Sequence, residues 1–308
     1  MSEKLTKNER RAQAREQARR MQEERRRKER LRRGLTIGGI VVGALAIVAI
    51  VALVIVNSIR PAGPGPENMA SDGIVIGQGY TAERTPATPA DAAPTPTEPR
   101  EDVIQIRIYQ DYMCPACRAF EEANRATLEQ LVESGASTVE IHPIAILDRA
   151  SLGTKYSTRS ASAAACVAEH EPDGFWDFNT AMFEAQPAEM TSGLTNDEIV
   201  AVAASVDLDV SGELGSCIRD GRFTGWAESA TIRAGSQPLP NTEGEVVADR
   251  TPTVIVNGQH YRGSPSDAAG FQAFVTAAAG QQSGEAPAST EEPAPSEPAP
   301  AEPQPTEG

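Results

Sequence analysis

Residues 35–56, LTIGGIVVGALAIVAIVALVIV, run for 22 positions without a charged side chain, and no other stretch restricts the chain so strongly. A helix over them would be roughly 33 Å long, enough for the hydrocarbon core of a bilayer. A helix that is apolar on every side has no place on the surface of a small globular domain. The segment also exceeds the roughly 7–15-residue apolar core of a cleaved signal peptide. It is therefore read as an uncleaved signal anchor, one transmembrane helix. The charge on its two sides differs: residues 1–34 carry 14 Lys/Arg against 6 Asp/Glu, and the remainder carries 14 against 37. The basic flank ERRRKERLRR comes before the apolar run, which places residues 1–34 in the cytoplasm and the bulk of the chain outside it.

In residues 1–34, Glu and Arg interleave at helical spacings, as in Glu9, Arg10, Glu16 and Arg19. That pattern reads as a solvated helix able to touch anionic head groups. No aromatic side chain is interleaved with the charges, which argues against nucleic-acid binding. Residues 57–100 read as a Pro-rich linker with a short strand near 72–77, and residues 57–71, if extended, would span up to roughly 45 Å. Residues 101–280 carry most of the hydrophobic periodicity. Residues 281–308 are mainly Pro, Glu, Ala and Ser; they cannot bury a core and read as a disordered tail.

The central region predicts an α/β fold. DVIQIRIY (102–109) has the alternation and β-branching of a strand. Residues 115–134 place Ala119, Phe120, Ala123, Leu128, Leu131 and Val132 on one helical face. STVEIHPIAIL (137–147) is a second strand, and residues 155–235 read as a block of short helices punctuated by Gly, Pro and Asp. TPTVIVNGQHY (251–261) is a strand turning at Asn257-Gly258 into another, and SDAAGFQAFVTAAAG closes the domain as a helix.

Between the first strand and its helix lies DYMCPAC, with Cys114 and Cys117 separated by two residues. A structural zinc site needs four ligands, commonly paired; Cys166 and Cys217 are far apart, and none of the three histidines is paired with another, so no metal is expected. Ordinary core thiols fit less well, because the strand–helix junction should point both sulfurs toward an exposed turn. A reactive dithiol fits best. Cys114 at or next to the helix N-cap would have its thiolate stabilised by free N–H groups and the positive end of the dipole. Cys117, one turn on, could attack a mixed disulfide formed at Cys114, and Pro115 suits the first helical turn.

These residues resemble those of DsbA-like thiol-disulfide oxidoreductases, most closely the membrane-anchored or secreted actinobacterial members. YQDYMCPACRAFE, KYSTRSASAAACVAEH, FWDFNTAMFEAQP, the cysteine of GSCIRDGRF and TPTVIVNGQHY carry the resemblance, in order, from residue 102 to about 275. It implies a thioredoxin-like fold with an inserted helical domain at about 155–235. It further implies Cys114 as nucleophile, Cys117 as resolving thiol, and Pro252 as a cis-proline that, with Thr251, presents backbone to a substrate. Cys166 and Cys217 would pair as a structural disulfide, with two free buried thiols as the alternative. No cofactor beyond the redox-active disulfide is implied. The partners implied are reduced exported proteins and a quinone-linked membrane reoxidase of the DsbB or vitamin K epoxide reductase type; nothing suggests an obligate dimer.

The sequence departs from the family in places. Pro-Ala replaces a pair containing histidine between the cysteines, and Ile108 stands where many relatives carry a buried acid. The nearest acid, Asp111, reads as a solvated loop carboxylate, or else as a proton acceptor acting through water. Residues 237–250 read either as a flap over the site or as a surface loop. Phe175 and Trp176 read as core, and His142 and His260 as strand and hairpin residues. An isomerase, a reductase, and a non-redox anchored chaperone or copper carrier remain as alternatives to an oxidase.

Overall fold

The structure, a computed structural model, describes Met21, residues 63–89 and residues 92–282. The expected anchor at 35–56, nearly all of the basic segment and the tail from 283 lie outside these residues. No described helix is long and apolar enough to cross a membrane.

A five-stranded mixed sheet organises the domain. Its strands are β1 (Ile74–Ile76), β2 (Ile104–Gln110), β3 (Ser137–Pro143), β4 (Thr253–Val256) and β5 (Gln259–Tyr261), in the spatial order β1-β3-β2-β4-β5. Only β2 and β3 run parallel; the other pairs are antiparallel. The parallel pair needs a crossover, and α1 (Pro115–Glu133) supplies it. The antiparallel pair β4–β5 needs only a two-residue turn. Asn257 and Gly258 provide it with positive φ of 49° and 84°, the backbone signature of a type I′ hairpin.

Alternation along β2 divides the sheet into two unlike faces. Ile106 and Ile108 join Val139, Ile141, Val254 and Val256 in the main core with Phe120, Leu128 and Phe271. Phe120 and Phe271 belong to α1 and to α7 (Ala268–Gln282), and their rings meet edge to face at 5.1 Å.

The opposite face is polar, with Arg107, Glu140 and His142 all buried. Arg107 and Glu140 find partners in segments that read as linker or loop. Glu140 accepts hydrogen bonds from the Ser71 and Thr97 hydroxyls, and His142 Nε2 lies 3.2 Å from it. Burial alone would push the Glu140 carboxyl up; His142, Ser71 and Arg107 outweigh this and hold it at about 2. The His142 ring stacks on Tyr109 at 4.2 Å. A Cβ on Gly73 would come within 2.6 Å of that ring, so the strap can pass there only as glycine.

The segment read as an extended linker is therefore a bound strap from Gly65 onward. Gly65 N donates to Thr88 O and Asn68 N to Thr85 O. The Asn68 amide donates to Ala168 O, Met69 is buried, and Asp72 accepts two hydrogen bonds from the Arg233 guanidinium and one from Trp226. Polar groups on the sheet that would otherwise be buried without partners explain the binding.

Between β3 and β4 the chain forms α2 (Tyr156–His170), α3 (Phe175–Glu184), α4 (Asn196–Ser205), α5 (Glu213–Asp220) and α6 (Thr224–Ser236). The short side chains of SASAAACVA leave α2 buried along nearly its whole length, and α5 and α6 pack against it. Phe175 and Trp176 are buried in this unit. Cys166 of α2 and Cys217 of α5 are joined by a disulfide, S–S 2.03 Å, across 51 residues of chain. Closing a loop of that length stabilises a fold by roughly 4 kcal/mol in the chain-entropy model. Replacing both cysteines by Ala should lower the unfolding free energy by about 2–5 kcal/mol in urea titrations; an unchanged midpoint and slope would show that the bridge adds nothing.

Candidate active site

The CPAC turn joins the C-terminal end of β2 to α1. Cys114 is the helix N-cap in extended conformation and Pro115 the first helical residue, so the free N–H groups of the first turn point back at the Cys114 sulfur. A second polypeptide segment faces it: the Thr251–Pro252 peptide bond is cis, and the Thr251 carbonyl accepts from the Cys114 thiol at 3.4 Å. Gln186, just beyond α3, donates its amide to the Tyr112 and Cys114 carbonyls. The turn is thus held from the sheet, from the loop before β4 and from the helical block.

The two sulfurs are not equivalent, and neither projects freely into solvent as the strand–helix junction led one to expect. Both are buried free thiols. The Cys114 thiol is lowered from 9.0 to about 6, first by hydrogen bonding from the Cys117 thiol, which with the Thr251 side chain and the N–H groups of Cys117 and Ala116 outweighs the opposing effect of burial. Burial pushes Cys117 well above its ordinary value, and the neighbouring Cys114 adds to the rise. One thiol is poised to ionise at neutral pH and the other to hold its proton.

Asp111 differs most from its sequence reading. It is fully buried rather than a solvated loop carboxylate, because its side chain organises the turn: Oδ1 accepts from Met113 N and Oδ2 from Leu147 N, both at 2.9 Å. Burial pushes its carboxyl up to about 7 despite these two hydrogen bonds. The neighbouring Cys114 adds to the rise, which places a group that titrates near neutrality within electrostatic reach of the nucleophilic thiol. Gln110, Tyr112 and Asn179 form a buried network beside it, in which the Asn179 carbonyl oxygen accepts from both Gln110 and Tyr112. Asn179 and Gln186 both lie in the stretch FWDFNTAMFEAQP, but nothing local singled them out, since each acts through a contact distant in the chain.

Residues 237–250 neither fold over Cys114 nor lie loose on the surface. Leu239, Val246 and Ala248 pack with Tyr109 and Ile255 on the polar side of the sheet, and Arg107 donates to the Pro240 and Asn241 carbonyls. The loop then runs directly into Thr251. Among the described residues no group of His, Cys, Asp and Glu could hold a metal ion.

The family model described as thioredoxin matches residues 103–277, more than half of the chain. The chain belongs to the thioredoxin family. Among solved structures, the reduced form of a disulfide bond oxidoreductase (DsbG) from Mycobacterium tuberculosis is 25% identical, with TM-score 0.50, covering 71% of this chain and 95% of its own. Reduced DsbA from the same organism is 26% identical, with TM-score 0.47 and coverage of 67% and 99%. MdbA, a thiol-disulfide oxidoreductase from Corynebacterium diphtheriae, is 18% identical, with TM-score 0.48 and coverage of 71% and 94%. No curated protein matches the chain. Within the thioredoxin family this chain is a DsbA-like redox enzyme, a thiol-disulfide oxidoreductase whose helical block is inserted between β3 and β4.

In the reduced protein, alkylation of Cys114 by iodoacetamide should show a midpoint near pH 6, against about 8.5 for an ordinary thiol, with Cys117 unreactive throughout. A Cys114 midpoint above pH 8 would contradict the asymmetry.

Proposed function

We propose that this protein is an extracytoplasmic oxidase that introduces disulfides into exported proteins. The observation that carries this reading is the opposition of the two thiols: stabilising a thiolate at Cys114 stabilises the reduced enzyme, which makes its disulfide the stronger oxidant. A client thiolate attacks Cys114 of the Cys114–Cys117 disulfide. A client–Cys114 bond forms, the internal bond breaks, and Cys117 leaves and takes up a proton, a transfer we assign to the buried Asp111 carboxyl acting through water. The client's second thiolate then attacks its own linked sulfur and expels Cys114 as a thiolate, a good leaving group because its pKa is low. The client dithiol has been oxidised by two electrons and the enzyme reduced by two. Thr251 and Pro252 present the backbone against which an extended client segment aligns.

In this reading residues 35–56 anchor the enzyme with its N-terminus in the cytoplasm, and the basic flank supports that orientation. The electrons pass to a quinone-linked membrane reoxidase of the DsbB or vitamin K epoxide reductase type. Residues 1–34 take no part in the chemistry.

Equilibration in glutathione buffers should place the Cys114–Cys117 couple well above about −200 mV. A value near −270 mV marks a reductase instead. Cys117→Ser should accumulate client-linked mixed disulfides on non-reducing gels and Cys114→Ser none; full support of client folding by Cys114→Ser would favour the chaperone reading. Labelling of reduced Cys114 in intact cells by a membrane-impermeant maleimide checks the placement, and protection until lysis would refute it. The role of Asp111 predicts a step near pH 7 in the rate of client oxidation, absent in Asp111→Asn; persistence of the step would assign it to another group.

A further inference from the structure

Beside Thr251–Pro252 the surface opens into a groove of about 540 Å³, bounded on one side by the loop from Glu245 to Arg250 and on the other by β5 and the residues after it. The outer edge of β5 has no strand beside it among the described residues, so an extended chain can lie along the groove with its cysteine toward Cys114. The residues that give the groove its charge are Arg250 and Arg262, which are basic, and Glu245 and Asp249, which are acidic.

The two arginines and two carboxylates balance in number, but the arginines flank the reactive end: Arg250 directly precedes Thr251 and Arg262 follows β5 in register with Thr253, whereas Glu245 begins the loop six residues before Thr251. Most described cations are committed within the fold: Arg84 to Asp173, Arg118 to Glu122, Lys155 to Glu228, Arg219 to Asp197, Arg233 to Asp72. Among the described residues Arg262 has no ion pair or hydrogen bond, and Arg250 meets only its chain neighbour Asp249, at 3.4 Å and with both side chains largely exposed, a contact worth little. His260 feels both: burial, Arg262 and Arg250 all lower its pKa, and Asp249 only partly opposes them. Its Nδ1 is buried without a partner. On a chain of net charge −15, cations left uncommitted beside the reactive cysteine are an exception.

We infer that this groove selects client segments bearing an acidic side chain two or three residues from the cysteine to be oxidised, held by Arg250 and Arg262. The spacing follows from the sheet. Tyr261 pairs with Val254, so Arg262 lies opposite Thr253, about 7 Å along the strand direction from Thr251 at roughly 3.3 Å per residue. The inference rests on the oxidase reading and names the clients that reading leaves open. Charges at the rim of such a site act mainly on the rate of encounter, so the preference should weaken with salt.

The test uses the oxidised full chain in detergent and three reduced dithiol peptides that differ only in carrying Glu, Gln or Lys at the flanking positions. The Glu peptide should be oxidised about fivefold faster than the Gln peptide at low ionic strength, and the Lys peptide more slowly. Arg250→Gln with Arg262→Gln should level the three rates, and Arg250→Glu with Arg262→Glu should invert their order. Equal rates in the native chain, a preference the substitutions leave untouched, or faster oxidation of an apolar-flanked peptide would each overturn the inference. Oxidation of dithiothreitol by the native chain reports exchange itself, and its absence would refute the oxidase reading. Affinities of the same peptides with their cysteines replaced by Ser would then still decide the groove's charge preference by the same ordering.

Discussion

The buried guanidinium of Arg107 is the contact on which the arrangement depends. It occupies a central strand, faces the polar side of the sheet, and is satisfied by two carbonyls of the loop that precedes β4. A charged group so placed must find partners or destabilise the fold. The loop that supplies them is the one that delivers Thr251 to Cys114. Satisfying one buried cation and assembling the active site are therefore a single structural event, and the Glu140–Ser71–Thr97 contacts do the same for the strap on the neighbouring strand.

The helical block contributes in a parallel way. Gln186 tethers the carbonyls of the CPAC turn, and Leu147, just ahead of the block, caps the Asp111 carboxylate. The thiol asymmetry rests on these supports. Cys114 is lowered first by the hydrogen bond from Cys117, with helix N–H groups adding to it, and Cys117 is raised first by its burial. Hydrogen bonding outweighs desolvation at one sulfur, and desolvation prevails at the other, three positions on.

Local pattern made much of this legible. β-Branched alternation located β2 and β4, Asn-Gly fixed the hairpin, and proline after Cys114 marked the start of α1; each is a preference of a few consecutive residues. What the pattern concealed was long-range satisfaction. A Pro/Thr-rich stretch such as 84–100 reads as a linker by composition, and only the hydroxyl of Thr97 on Glu140 shows why it stays bound. Asp111 read as a solvated loop residue because its neighbours in sequence are polar or aromatic. Its burial comes from Leu147 and Ser157, which no short window around it contains. The loop at 237–250 was equally ambiguous, since its purpose lies in Arg107, some 130 positions earlier.

The bridge between Cys166 and Cys217 has a consequence for biogenesis. Both cysteines are completely enclosed between α2 and α5, so a finished, reduced block would shield them from any external oxidant. The bond must be made while the two helices can still separate. A newly made copy of this protein is thus itself a substrate for thiol oxidation before it can act in thiol-disulfide exchange, and its maturation should depend on oxidising equivalents already present where it folds.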